Sequence, residues 1–201
     1  MHPRLVPAVR FFVGLTRPSP QRNLQRLRER GETLVSLTVR DATHEDIPAL
    51  VQLHVDTWNA TYPYVRQKPS IAIRQRQWRE RFGAMDGTWF CLLVTKRDGG
   101  LVGFVHGRAK SDPDFAGELS KIYLRHDYQR LGLGRVLVGH AARRFLAQGI
   151  ASAIVFTDPP NPSGAFFEAL GAERLVDGAG VFRGGYGWRD LKAVASSCPI
   201  D

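Results

Sequence analysis

Between Gln129 and Gly134 the chain reads Gln-Arg-Leu-Gly-Leu-Gly and runs without a break into a helical pattern. No other stretch narrows the fold as much. A glycine in a helix costs about 1 kcal/mol relative to alanine. Yet Leu133, Leu137, Ala141 and Phe145 fall on one stripe, with Val138, Ala142 and Leu146 beside it, so the run is a good amphipathic helix. The glycines stand only in its first turn, where backbone N–H groups have no intrahelical partner. Bare amides at a helix entrance suit an anion, above all a phosphate. Arg130 and Arg135 flank them with positive charge. The P-loop pattern is absent, and the dinucleotide pattern G-x-G-x-x-G fails at Leu137. A pyrophosphate cradle is the functional reading of the hexapeptide, and a tight turn is the plain one.

The flanks favour the cradle. Leu119 to Leu124 alternates like a strand, and Arg125 to Tyr128 is a polar loop. Downstream, Ala151 to Phe156 reads as a buried strand. A Pro-rich loop, TDPPNPSG, follows, and then a short helix over Ala165 to Leu175 capped by Gly171. The Q-x-x-G-x-G of Gln129–Gly134 resembles motif A of the GNAT acyltransferases. The second segment resembles their motif B, N-x-x-A-x-x-F-Y-E-x-L-G, matched in type by Asn161, Phe166, Glu168, Leu170 and Gly171. Two departures stand out: the spacing from Asn161 to the Phe pair is one residue short, and the family's tyrosine is Phe167.

The resemblance covers roughly residues 35–192. It implies an α/β (α+β) GNAT fold, a central mixed, mostly antiparallel twisted sheet of about seven strands flanked by about four helices. It further implies acetyl-coenzyme A as cosubstrate and an N-acetyltransferase acting on a primary amine of a small molecule or protein. In the family's manner, Gln129, Arg130, Leu131, Gly132, Leu133, Gly134 and Arg135 would hold the pyrophosphate, with Asn161 and Phe167 nearby. The backbone of Ile122, Tyr123 and Leu124 would polarise the thioester carbonyl.

The remaining pattern supplies the other elements. Leu34–Arg40 reads as a first strand. A helix opens at Thr43 with Asp46 as a box-like cap and Ile47, Leu50, Val51, Val55 and Trp58 on its apolar face. A second helix over SIAIRQRQWRERF puts Ile71, Gln75, Trp78 and Phe82 on one face, and two strands, TWFCLLVT and LVGFVHGRA, flank the turn KRDGG. VFRGGYGWRDL closes the sheet. Residues 1–34 hold seven arginines against two glutamates, more than half of the formal net charge of +9. QRNLQRLRERG there has the look of a short basic helix ending at Gly31. With no aromatic interleaving, we read 1–34 as a solvated basic extension rather than a nucleic-acid arm. Residues 193–201 read as a tail. The N-terminal stretch, broken by Pro7 and Arg10, makes a poor signal peptide. No apolar run is long enough to cross a membrane. The two cysteines and six histidines form no metal spacing. A cytoplasmic protein without a metal is therefore expected. Its oligomeric state is open, with a homodimer among the options.

The chemistry needs a group to deprotonate the amine and one to protonate the departing thiolate. Glu118, at the start of the strand and eleven residues before Gln129, is the candidate base, as the glutamate of the histone-type branch implies. Its plain reading is an ion-pair partner of Lys121 or Arg125. His54 and His106 are the alternatives. Phe167 has no hydroxyl to give a proton, so the thiolate departs unassisted and more slowly, or Tyr123, Tyr128, Ser163 or water substitutes, or the protein is a catalytically weak acyl-coenzyme A-binding module. Trp58, Tyr62, Tyr64 and Trp78 are candidates for the acceptor pocket, with core packing the alternative for both tryptophans.

Overall fold

The computed structural model describes residues 19–158, 161 and 163–198. The signal-peptide reading, three prolines of the Pro-rich loop and residues 199–201 of the expected tail lie outside the described residues. In chain order the elements are α1 (Pro20–Glu29), β1 (Thr38–Asp41), α2 (Ile47–Thr61), α3 (Ile71–Gly83), β2 (Trp89–Thr95), β3 (Leu101–Ala109) and β4 (Gly117–Leu124). They continue with α4 (Leu133–Ala147), β5 (Ala153–Phe156), α5 (Gly164–Glu168), β6 (Glu173–Val176), β7 (Phe182–Trp188) and α6 (Leu191–Ser197). The strands form one sheet in the order β1-β2-β3-β4-β5-β7-β6. Only β4 and β5 pair in parallel.

Strand β2 shows how the sheet divides the core. All seven of its residues are buried. Successive side chains point to opposite faces, so Phe90, Leu92 and Val94 pack with Leu137 and Phe145 of α4. Trp89, Cys91 and Leu93 pack instead with Leu50 and Val51 of α2 and Trp78 and Phe82 of α3. One face of the sheet therefore carries α4, and the other carries α2 and α3.

β4 and β5 stay together only over Gly117–Leu119 and Ala153–Val155. At that point β4 takes a bulge: His106 of β3 pairs with Lys121 and Gly107 with Leu119, leaving Ser120 extra. β4 then runs on to Leu124 against β3 alone, while the chain after β5 turns to β7 through a Thr157 N–H bond to the Gly184 carbonyl, 2.9 Å. The sheet is thus open beyond Leu119, directly beside the entrance to α4.

Several segments differ from the sequence reading. Leu34–Ser36 is a 3-10 turn, so the first strand begins only at Thr38. Its cause is local: the Ser36 hydroxyl bonds the Thr33 carbonyl at 2.6 Å, drawing the chain into a turn. The helix expected over Ala165–Leu175 stops early and Glu173–Val176 is a strand, because Gly171 adopts φ 79° and reverses the chain. On α3, Ile71 is 48% exposed, and the buried side chains are Trp78 and Phe82. The segment placed in the tail begins with helix α6, tied to α4 by Arg143, whose Nη2 donates to the carbonyls of Ala195 and Cys198 at 2.6 Å each.

The largest difference concerns the basic extension. Its residues 20–32, with α1 over Pro20–Glu29, pack on the body of the domain. Leu27 is 2% exposed within the α4-side cluster, and Asn23 is 1% exposed. The Asn23 amide donates to the carbonyls of His126 and Gln129 at 3.1 and 3.0 Å. Arg30 bonds Asp127 at 2.6 Å, and Glu32 accepts from the Tyr128 hydroxyl. Leu27→Ala should therefore destabilise the protein by about 2–5 kcal/mol in urea unfolding. A solvated arm would give no change.

Candidate functional site

The loop from Arg125 to Gly132 is shaped by its own side chains. Gln129 Nε2 donates to the Leu124 carbonyl at 2.9 Å, tying the loop to the end of β4, while Asn23 holds its outer side. Arg130 sits at φ 63° and Gly132 at φ 88°. The first costs a non-glycine residue of order 1 kcal/mol; the second is where glycine is needed. Gly132 caps α4. The amides of Gly132, Leu133 and Gly134 donate to no backbone carbonyl among the described residues, while those of Arg135 and Val136 return to the Gly132 carbonyl at 2.9 and 3.2 Å. A Cβ on Gly132 would meet no heavy atom within 4 Å, so the turn is open at that position. A Cβ on Gly134 would lie 3.1 Å from the Phe166 ring, so this glycine also admits α5. Arg130 and Arg135 are exposed on either side. Leu131 and Leu133 pack inward and secure the turn.

On β4, Ile122 and Leu124 pack towards the α4 side and Tyr123 towards the α2 side. The Tyr123 ring lies 5.4 Å from His54 and 5.6 Å from Phe104. Burial raises its phenol pKa well above the ordinary range, with a smaller contribution from the nearby Tyr62, so it holds its proton. The Tyr62 hydroxyl accepts from Asn161 Nδ2 at 3.3 Å, and Tyr64 donates to Asp158 at 2.8 Å. Tyr62 stacks near Trp58 and Tyr64 at ring distances of 5.1 and 6.2 Å. Tyr123, Tyr62 and Asn161 therefore come together; Trp78 joins the core below them, at 2% exposure.

Glu118 does not join that group. It stands on the first turn of β4, its Oε2 held by Arg108 at 2.8 Å, rather than by Lys121 or Arg125. Both candidate histidines are buried and neutral. His54 Nδ1 accepts from the Trp78 indole at 3.3 Å, and burial, helped by Arg74 and Lys121, pushes its pKa down to about 3. His106 Nε2 faces an Arg81 Nη at 3.1 Å. Since arginine only donates, Nε2 accepts, and Nδ1–H donates to Ser120 Oγ at 2.5 Å. Burial and the cations Lys121 and Arg81 lower its pKa to about 2. Phe167 is 2% exposed, its ring 5.9 Å from both Tyr186 and Trp188; its neighbour Phe166 is the ring beside Gly134. Tyr128 is buried against Glu32, and Ser163 Oγ lies 3.1 Å from Thr157 Oγ1.

A cleft of about 490 Å³ opens on the α2/α3 face, lined by His54, Arg74, Trp78, Arg81, Trp89 and Lys121 among others. Sequence reasoning passed over its cations. The signal was present: Arg74, Trp78 and Arg81 recur at i, i+4 and i+7, one helical face.

Comparison with known proteins agrees with this geometry. The family model of the GNAT acetyltransferases matches residues 47–172. The uncharacterized N-acetyltransferase YuaI of Bacillus subtilis strain 168 is 30% identical over 171 residues, 79% of this chain and 96% of the relative. A phosphinothricin N-acetyltransferase of Streptomyces viridochromogenes is 29% identical over 162 residues, 76% of this chain and 83% of the relative. The PaiA N-acetyltransferase of Thermoplasma acidophilum, solved with coenzyme A, shares the fold at a TM-score of 0.59 and 19% identity, over 76% of this chain and 96% of that one.

The histidines make stability depend on pH. Each has its folded pKa below the ordinary 6.5, so the unfolded chain binds more protons in acid. Their contribution is complete above pH ~6.5 and is lost as pH falls, by up to about 1.4 kcal/mol per pH unit for each histidine. Urea midpoints should drop between pH 7 and pH 5. His54→Gln, which keeps an acceptor for the Trp78 indole, should flatten that slope.

Proposed function

The chain belongs to the GNAT acetyltransferase family, and from that premise we propose that it moves the acetyl group of acetyl-coenzyme A onto the primary amine of a small-molecule acceptor. The observation that carries this reading is the set of amides at Gly132–Gly134 that donate to no backbone carbonyl among the described residues, standing where the sheet opens between β4 and β5. These residues fit the cosubstrate's pyrophosphate: the turn is open at Gly132, and two exposed arginines flank it. When bound, acetyl-coenzyme A supplies an activated thioester. Two relatives carrying N-acetyltransferase names, one of them named for a small amine-bearing compound, support the reaction class.

The chain's own residues have these parts in the proposal. Gly132, Leu133 and Gly134 bind through their amides, with Arg130 and Arg135 adding charge. Gln129 fixes the Leu124 carbonyl and so the end of β4. Ile122 and Leu124 seat that strand on the α4 side. Tyr123, kept protonated by burial, holds a proton that a departing thiolate can take; Asn161 donates to the nearby Tyr62. Glu118 stands apart from this group, its Oε2 anchored by Arg108, and is the candidate base that the variant below tests. The cleft beside Tyr123 and His54 receives the acceptor.

Thiol release from acetyl-coenzyme A across an amine panel tests the reaction; no amine-dependent release would overturn it. Gly134→Ala adds a methyl group against Phe166 at the cradle and should weaken coenzyme A binding at least tenfold by calorimetry. It should leave the circular dichroism spectrum unchanged, since alanine favours the helix by about 1 kcal/mol. Wild-type affinity would remove the cradle. For Glu118→Gln, turnover should fall and the acidic limb of the pH–rate profile should vanish with coenzyme A affinity kept. An unchanged profile would take the base role away from Glu118.

A further inference from the structure

The α2/α3 cleft holds more positive charge than its own carboxylates neutralise. Arg74 and Arg81 of α3 and Lys121 of β4 line it with a single acidic residue, Glu80. Glu80 turns outward: its side chain is 68% exposed and lies 3.8 Å from Arg76. The nearby Glu118 is held by Arg108. None of the three cleft cations forms an ion pair among the described residues.

Their other contacts leave donors to spare. Arg74 gives one Nη to Gln77 at 2.9 Å, and its Nε is buried with no hydrogen-bond partner. Arg81 meets the neutral ring of His106. Lys121 lies over the Trp78 ring at 5.9 Å. The cluster also repels itself: burial first, then the neighbouring cations, lower the pKa of Arg81 and bring that of Lys121 down to about 8. Such a cluster lacks the counter-charge that buried cations need, and a planar guanidinium fork matches a carboxylate or an oxyanion of phosphorus.

The cleft sits where an acceptor must come. His54 lines it and touches Tyr123, on the face of the sheet away from α4 and its amides. Its size, about 490 Å³, suits a compact polar molecule. We propose that the acceptor amine carries an anionic group, a carboxylate or a phosphorus oxyanion, held in this cleft by Arg74, Arg81 and Lys121. The substrate class is then amino acids and their phosphorus analogues rather than polyamines. This proposal rests on the acetyl-transfer reading above.

The test compares matched acceptors at saturating acetyl-coenzyme A: free L-amino acids, aminoalkylphosphonates, the carboxamides of the same amino acids, and spermidine. Each is assayed with wild type, Arg74→Gln, Arg81→Gln and Lys121→Gln. In wild type, kcat/KM for the anionic acceptors should exceed that for the carboxamides at least tenfold. The variants should collapse this ratio by about 10–100-fold, mainly through the acceptor KM, as expected for lost charge-assisted hydrogen bonds. The KM for acetyl-coenzyme A should not move. Phosphonates favoured over carboxylates, or the reverse, would identify the anion. Equal use of carboxylate and carboxamide, preference for spermidine, or an unchanged ratio in all the folded variants would overturn the proposal. If no amine is acetylated, the acetyl-transfer reading fails by itself. Calorimetric titration of L-glutamate and 2-aminoethylphosphonate then decides the anion site: binding to wild type that Arg74→Gln loses upholds it, and no binding to wild type overturns it.

Discussion

The short parallel pairing of β4 and β5 governs the rest of the molecule. Three register positions join them before the bulge at Ser120 turns β4 away. The parting is tolerable because each strand keeps a full partner on its other edge, β3 for β4 and β7 for β5. Backbone groups on the inner edge of β4 lose their strand partner there, and buried orphans of that kind are costly. One of them, the Leu124 carbonyl, is recovered by Gln129. The glutamine of the hexapeptide thus finishes the strand, while the glycines after it start the helix. A strand end, a turn and a helix entrance meet at one opening.

That opening is braced from outside by α1. A left-handed Arg130 is tolerated only where its surroundings over-determine it. The surroundings here are the Asn23 amide on two loop carbonyls and Leu27 in the core. The ion pairs of Arg26 and Arg30 with Asp127 are partly exposed and contribute less, since such surface pairs are worth about 0–1 kcal/mol. The buried amide and the leucine carry the docking, and the arginines keep the outer face of α1 in water.

This division explains what the sequence made legible. Gly132 and Gly134, with the strands around them, pointed to the fold. The docking of α1 was hidden, because its apolar contribution is one leucine in a run of arginines and its other anchor is a polar asparagine. Periodicity weighs neither. The cations of the cleft were hidden for a related reason: on α3 the apolar positions drew attention, although Ile71 is exposed and the arginines beside Trp78 face the cleft. Glu118 was legible as a polar strand residue, but its partner depends on the register of β3 and β4, which places Arg108 opposite.

The aromatic pair of α5 shows how register divides chemistry between neighbours. Phe167, where the resemblance sets a tyrosine, is enclosed by Tyr186 and Trp188, so a hydroxyl added there would need a buried partner. Phe166 reaches Gly134 but has no proton to give. The proton in the proposed reaction must then come from elsewhere on the opening, and Tyr123 has the means: a phenol that burial keeps protonated, on the last turn of β4, one residue before the carbonyl that Gln129 fixes. Tyr62, which adds to the upward shift of that phenol, accepts from Asn161, so the loop after β5 is tied to a ring near the donor on β4.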